Sequence, residues 1–298
     1  MSLRKKIAYA GRHFTPTWRY GFNLKPTLAW RRRHPALTGE AARIVTELER
    51  HGIAITTAER LPALNEAFAE LSGAIESLER DWAERIAEAR RAGARPEGEK
   101  TFLLTLLGAR PRLEPASIFA RLAIETEALP IANAYFRMLT QLRYYNVWHT
   151  LASDSPARES QLWHFDRDDH QILKLFVYHT DVSEDAGAMS YAPGTHRNRA
   201  GRAAPDSFLE NGVRRWRDEQ MEAVMPRAHW LRAIGPRGTV VFADTRGYHK
   251  GGHARLRDRV LYTCMFTSAA AQVVEMFERP AQLPAHRDPA RAFALTRG

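Results

Sequence analysis

Cysteine is almost missing from this chain of 298 residues: Cys264 stands alone, so no internal disulfide can form and a cysteine-built zinc site is excluded. A reducing compartment follows, with the cytoplasm as the default expectation. Long apolar runs are missing as well. No stretch approaches the roughly 18 continuous apolar residues of a membrane span, and residues 1–6 lead into no apolar signal core, so neither a spanning segment nor a secretory leader is expected. Internal repeats and low-complexity tracts are also lacking, which weighs against solenoids and disorder. The last scarcity is local: residues 1–39 hold no acidic side chain, the first being Glu40.

That gap concentrates the charge. Nine basic residues (Arg4, Lys5, Lys6, Arg12, Arg19, Lys25, Arg31, Arg32, Arg33) lie in the acid-free stretch, and they account for nine of the ten excess positive charges. The remaining residues carry 35 basic against 34 acidic side chains. A nucleic-acid footprint spread over the whole surface is therefore not expected. The arm mixes its cations with Tyr9, Phe14, Trp18, Tyr20, Phe22 and Trp30. Such a mixture suits the headgroup layer of an anionic membrane, and stacking on a saccharide or single strand would use the same residues. The plainer alternative is an extension wrapped over the protein's own body, with its rings in grooves.

With 44% apolar and 26% charged residues the chain can bury a sizeable core. Four segments are expected: a basic aromatic arm (1–38), a helical region packed on the core (39–138), a β-rich core (139–270) and a C-terminal extension (271–298). A short helix from Thr38 should end at Gly52 and lead into a strand near 53–55. Leu64, Phe68, Leu71, Ile75, Leu78, Trp82 and Ile86 recur at helical spacing and predict one long packing helix, ending in the Gly- and Pro-containing stretch 92–98. Residues 115–138 read as helical and 139–150 as a strand. Further short β-like runs at 161–165, 173–179, 239–243 and 260–267, separated by Gly, Pro, Asp and Asn, suit a jelly roll. A charged stretch over 205–225 reads as a helical insertion and a candidate lid.

Three His-x-Asp triplets are present: His164-Phe165-Asp166, His179-Thr180-Asp181 and His286-Arg287-Asp288. A two-histidine, one-carboxylate iron site needs the first His and the Asp to project together, which positions i and i+2 of a strand achieve, and it needs a distant second histidine. No histidine follows His286, so the third triplet cannot begin that order. Asp181 reads as a turn residue. The first triplet leads on to Gly187-Ala188-Met189-Ser190-Tyr191-Ala192-Pro193-Gly194-Thr195-His196, and later to Gly238-Thr239-Val240-Val241-Phe242-Ala243-Asp244 and His249, with Arg259 ten residues beyond. In this order the motifs resemble the phytanoyl-CoA dioxygenase-like family, Fe(II)- and 2-oxoglutarate-dependent oxygenases on a double-stranded β-helix. The likeness covers about 139–268.

That resemblance implies an α+β fold with a double-stranded β-helix (jelly-roll, cupin-like) core, N-terminal packing helices and a helical insertion. It implies His164, Asp166 and His249 as iron ligands, with His253 as a rival to His249. Arg259 would hold the far carboxylate of 2-oxoglutarate, Thr263 could add a hydroxyl, and Lys174 could bind a cosubstrate or substrate acid if Leu173 and Leu175 face away from it. Arg255 and Arg257 are rivals of Arg259 expected to be solvated. His196, Tyr145, Asn146 and Gln161 are weaker pocket candidates. The reaction implied consumes O2, converts 2-oxoglutarate to succinate and carbon dioxide, and hydroxylates a substrate C–H bond. Related halogenases replace the iron carboxylate with a small residue, so Asp166 favours hydroxylation. The arm points to a membrane glycolipid substrate, such as the acidic sugar Kdo of lipopolysaccharide, worked on by a cytoplasmic protein peripheral to the inner face of the membrane. The same chemistry on an amino acid, acyl-CoA or secondary metabolite is the alternative. Nucleic-acid binding or demethylation and a non-catalytic binding module are the readings from other classes.

Overall fold

Two periodicities sort the chain into layers, one of helices and one of strands, and the site lies on the sheet face turned away from the helices. In the computed structural model the described residues are 14–33, 36–92, 102–197 and 206–297. The outer part of the basic arm and most of the 92–98 boundary lie outside them.

A π-helical turn at Thr17–Phe22 precedes α1 (Leu24–Arg33) and α2 (Gly39–His51). Helix α2 stops at Gly52, whose φ of 79° is the left-handed conformation that favours glycine, and β1 (Ile53–Thr57) follows at once. Helix α3 (Pro62–Asp81) starts with proline, whose missing N–H is no loss in the first turn. Its buried Leu64, Leu71 and Ile75 form the expected stripe. The single long helix does not occur: Trp82 adopts φ −96°, ψ 3°, and α4 (Ala83–Ala92) starts beyond it. After β2 (Leu103–Thr105), the helical stretch expected over 115–138 divides into α5 (Ile118–Glu125) and α6 (Ala128–Phe136). Thr126 separates them, its Oγ1 donating to Leu122 O and accepting from Ala128 N.

The β-rich part comprises β3 (Gln141–Thr150), β4 (Leu173–Tyr178), β5 (Ser190–Tyr191), β6 (Phe208–Glu210), β7 (Val213–Arg215), then the short α7 (Asp218–Glu222), followed by β8 (Leu231–Arg232), β9 (Thr239–Asp244), β10 (His249–Lys250) and β11 (Arg259–Thr267). Helix α8 (Pro289–Ala294) closes the order. A major sheet runs β1-β9-β4-β11-β3-β2 and a minor one β10-β5-β8, all pairs antiparallel. Phe176, Tyr178, Val241 and Leu261 of the major sheet share one buried cluster with Tyr191 of the minor sheet, so the two pack face to face as a jelly roll. The opposite face of the major sheet carries Leu173, Leu175, Val177, Val260, Tyr262 and Phe266 into the helices. Each fully buried aliphatic side chain there contributes about 1.5–3 kcal/mol.

Two further expectations are corrected. Residues 161–165 do not form a strand; a 3-10 turn at Glu159–Gln161 leads into single bridges, Trp163 with Trp216 and His164 with His249. The insertion near 205–225 is mainly the β6–β7 hairpin, with helix confined to α7. Asn211 (φ 50°) and Gly212 (φ 76°) turn that hairpin, and Asn-Gly is the dipeptide whose positive φ values suit a two-residue hairpin turn.

The arm is partly built into the body. Trp18 is fully buried and donates from Nε1 to Asp169 Oδ1 at 2.8 Å, while the same carboxylate accepts from Ser268 N at 2.6 Å. Ala270 N donates to Asn23 Oδ1 at 3.2 Å. No described helix is long and apolar enough to cross a membrane.

A buried histidine ties α3 to β3 of the major sheet. His149 on β3 lies 2.8 Å from Asp258 Oδ2 through Nε2 and 3.3 Å from Glu79 Oε1 through Nδ1. Burial by itself would lower its pKa, but the two carboxylates outweigh burial and raise it. A group with a raised folded-state pKa stabilises fully below its unfolded value, about 6.5, and loses that contribution as pH climbs through the folded value. Thermal unfolding should therefore show Tm falling as pH rises above about 6.5. His149→Gln should lower stability by about 1–3 kcal/mol and flatten that pH dependence.

Candidate metal centre

The centre follows from strand register. Directly opposed residues of an antiparallel pair project to the same face, and neighbours along the strand alternate. Trp163 exchanges backbone hydrogen bonds with Trp216 (3.1 and 3.0 Å), and His164 with His249 (2.9 Å each way). Trp163, Trp216 and Tyr248 consequently share one outer cluster with Trp230 and Met221. Indole contacts there are close, with Trp163 and Trp230 centroids 4.8 Å apart. Their neighbours His164 and His249 turn inward, with ring centroids 4.3 Å apart. Asp166 is fixed by its own N–H, which donates to Thr245 O at 2.8 Å. One ligand atom from each of His164, Asp166 and His249 lies within 4.8 Å of the others, the single such cluster among the described residues.

Both imidazoles are oriented by carbonyls that can only accept. His164 Nδ1 is 2.8 Å from Leu162 O and His249 Nδ1 is 3.0 Å from Gly247 O. The proton therefore resides on Nδ1 in each ring and Nε2 keeps its lone pair for a metal. Gly247 is required by space: a Cβ there would stand 2.1 Å from Tyr191 Oη. Burial lowers the pKa of both histidines, and the neighbouring His249 lowers His164 further, so they are neutral donors near pH 7. Asp166 goes the other way. Burial opposes its charge, but Lys174 Nζ at 2.7 Å from Oδ2, aided by the adjacent imidazoles, holds the carboxyl well below the usual range. Two neutral imidazoles and a carboxylate, with the remaining positions open, make the donor set of a non-haem Fe(II) centre.

A cavity of about 220 Å³ opens on this triad. Its polar wall includes Lys174, Arg215, Thr150 and Arg259; its apolar wall includes Trp148, Phe176, Met189 and Leu261. Arg259 is 6% exposed, donates to Gly187 O and, at 3.3 Å, to Thr150 Oγ1, while its Nε has no partner. No carboxylate forms an ion pair with it among the described residues, and burial lowers its pKa. Gly187 (φ 75°) can present its carbonyl there because it packs against Gly252, whose O lies only 2.4 Å from where a Cβ would be.

Lys174 faces the interior while Leu173 and Leu175 enter the helical core, the alternation on which its pocket reading depended. Thr263 shares the Arg259 face but is buried beyond Leu261; the cavity lining holds Thr150 instead. His253 is outside the triad, and Arg255 and Arg257 are exposed. Asp181 accepts from Arg237 N at 2.8 Å in its turn, and Asp288 caps α8. His196 lines a separate polar cavity. Tyr145, Asn146 and Gln161 are engaged with backbone at 112–114, 107–108 and 158 respectively. Arg215 had no place in the sequence reading, although the Asn211-Gly212 turn signal and the alternation beyond it would have aimed it inward.

A family model, Phytanoyl-CoA dioxygenase (PhyH), matches residues 50–256. The chain belongs to that family. Among solved structures, EctD from S. alaskensis in its apoform aligns with TM-score 0.52 at 18% identity, covering 89% of this chain and 91% of that one. EctD from S. alaskensis with 2-oxoglutarate and 5-hydroxyectoine gives 0.51 at 20%, covering 92% and 93%. At these identities the likeness shows the fold. No curated protein matches. Membership of the phytanoyl-CoA dioxygenase family and the triad together make the chain an Fe(II)- and 2-oxoglutarate-dependent oxygenase.

Metal affinity gives a direct check on the ligand set. Measured by calorimetry with Fe(II) under anaerobic conditions, His164→Ala and His249→Ala should each weaken binding by well over the roughly 10- to 100-fold typical of outer partners, and His253→Ala should leave it unchanged.

Proposed function

We propose that this oxygenase hydroxylates a C–H bond of a small organic metabolite, with His164, Asp166 and His249 holding the iron and Arg259 holding the far carboxylate of 2-oxoglutarate. The observation that carries the reading is Arg259: a buried guanidinium without a carboxylate partner, on the wall of the cavity that opens on the triad. A buried cation is costly unless an anion completes it, and the planar fork suits a carboxylate bidentately. When bound, Fe(II) and 2-oxoglutarate supply the oxidant, with O2 consumed and succinate and carbon dioxide formed. The chain's own contribution is placement. Lys174 keeps Asp166 ionised, Thr150 Oγ1 accepts from Arg259 and so orients the guanidinium, and the apolar wall keeps water from the reacting carbon. Asp166 retains the carboxylate that favours hydroxyl transfer over halide binding.

Small-molecule substrates suit the cavity's size, and EctD, a structural neighbour, has been crystallised with the small molecule 5-hydroxyectoine. A second reading keeps the membrane glycolipid with an acidic sugar such as the Kdo of lipopolysaccharide. It is favoured by the arm, where Phe14, Tyr20, Phe22, Leu24 and Leu28 are exposed alongside Arg31, Arg32 and Arg33. Peripheral binding at the inner face of a membrane would follow from that arm, at about 1 kcal/mol per basic residue.

Purified protein should form succinate from 2-oxoglutarate only with Fe(II), and Asp166→Ala should abolish it. Arg259→Ala should raise the KM for 2-oxoglutarate about 30- to 1000-fold, equivalent to about 2–4 kcal/mol, while Fe(II) affinity stays within a few-fold. Equal losses of both would make Arg259 structural. For the second reading, the triple variant Tyr20→Ser, Phe22→Ser, Leu24→Ser should lose binding to vesicles containing anionic phosphatidylglycerol while keeping succinate formation; unchanged vesicle binding would reject the arm's membrane role.

A further inference from the structure

Arg215 is the second buried guanidinium of the iron cavity. It is the last residue of β7, and the Trp163–Trp216 bridge fixes the register so that Trp216 enters the outer aromatic cluster and Arg215 projects inward, on the same side as His164. It is 7% exposed, and its Nε and Nη1 lack any hydrogen-bond partner. The carboxylate it pairs with, Glu210, stands 3.8 Å from Nε, and its Oε2 already accepts Glu159 N at 2.7 Å. A guanidinium stays charged at any working pH, so a buried one left this poorly matched calls for an anion from outside the chain.

The cosubstrate does not need it. Under the oxygenase reading, on which this inference rests, one carboxylate of 2-oxoglutarate goes to Arg259 on β11 of the major sheet and the other to the metal. Lys174 is taken by Asp166. Arg215 comes from the hairpin, not from the major sheet that carries Arg259, and Trp148, Phe176 and Met189 line the same cavity as the two arginines. We propose that Arg215 is the substrate clamp and that the substrate is an organic anion: one carboxylate or phosphate group held by Arg215, joined to an apolar body lying along those side chains. The hairpin carrying Arg215 is the selecting element. A fork of this geometry holds two oxygens of either anion, and a neutral analogue would leave it buried and unmatched.

The test uses full-length protein loaded with Zn(II) in place of iron and saturated with 2-oxoglutarate, so that no turnover occurs. Ligand-observed NMR titrations are run with phenylacetate, phenyl phosphate and phenylacetamide, which share a ring and differ in charge. Wild type should bind at least one anion about tenfold or more tightly than the amide, and the better anion names the group. Arg215→Gln should abolish the preference and Arg215→Lys should restore part of it. 2-oxoglutarate affinity should be unchanged in both, and Tm should not fall in either. Equal binding of all three probes by wild type, or binding of none, overturns the proposal, as does a preference that survives Arg215→Gln. A tenfold loss of 2-oxoglutarate affinity in Arg215→Gln assigns the residue to the cosubstrate and equally overturns it. Failure of the wild type itself to bind metal and 2-oxoglutarate would instead bring down the oxygenase reading beneath it.

Discussion

The backbone pairing of His164 with His249 is the constraint on which the rest of the site depends. These residues are 85 positions apart, and two hydrogen bonds of 2.9 Å set their side chains on the same face. Everything else is register. One step back along each segment, Trp163 and Tyr248 fill the outer aromatic cluster, which resists a slip because a one-residue shift would drive indole and phenol into the cavity and imidazole into the core. The adjoining Trp163–Trp216 bridge extends the same logic to Arg215. An aromatic cluster outside the cavity thus acts as the ruler for the polar groups within it.

Charge is arranged around that frame with few compensations to spare. Burial keeps the two imidazoles neutral and so ready to donate to a metal, whereas Asp166 is kept ionised against burial by Lys174. Arg259 is then left without a carboxylate partner among the described residues, and Arg215 has only the long, 3.8 Å pairing with Glu210. A protein core of this kind is less stable than an apolar one would be, and the deficit is the feature that ligands can relieve. Stability comes from elsewhere: the leucines and valines between sheet and helices, the Trp18 anchor on Asp169, and the His149 clamp between Glu79 and Asp258.

Much of this was legible in the sequence, because the β-like runs at 139–150, 173–179, 239–243 and 260–267 fall on β3, β4, β9 and β11 of the major sheet. Alternation also sorted Lys174 from its flanking leucines. The minor sheet was harder to read, since β5, β8 and β10 have two residues each and carry no period. Residues 161–165 make only single bridges, Trp163 with Trp216 and His164 with His249, so composition alone overstated them. The hairpin at 208–215 was masked by the charged residues around it, although its Asn-Gly turn was the informative signal. Thr263 illustrates a different limit: facing is set by period, but depth along the strand is set by packing, and Leu261 intervenes. Side-chain pairings such as His149 with Glu79 and Asp258 depend on tertiary contact and had no local signature.

The most direct measurement is anomalous diffraction at the iron edge from crystals grown anaerobically with Fe(II) and 2-oxoglutarate. A single iron bonded to Nε2 of His164, Nε2 of His249 and a carboxylate oxygen of Asp166, with the cosubstrate's distal carboxylate on Arg259, is the predicted result. Iron bound through His253, or absent from the His164–His249 pair while bound elsewhere on the chain, would contradict the account.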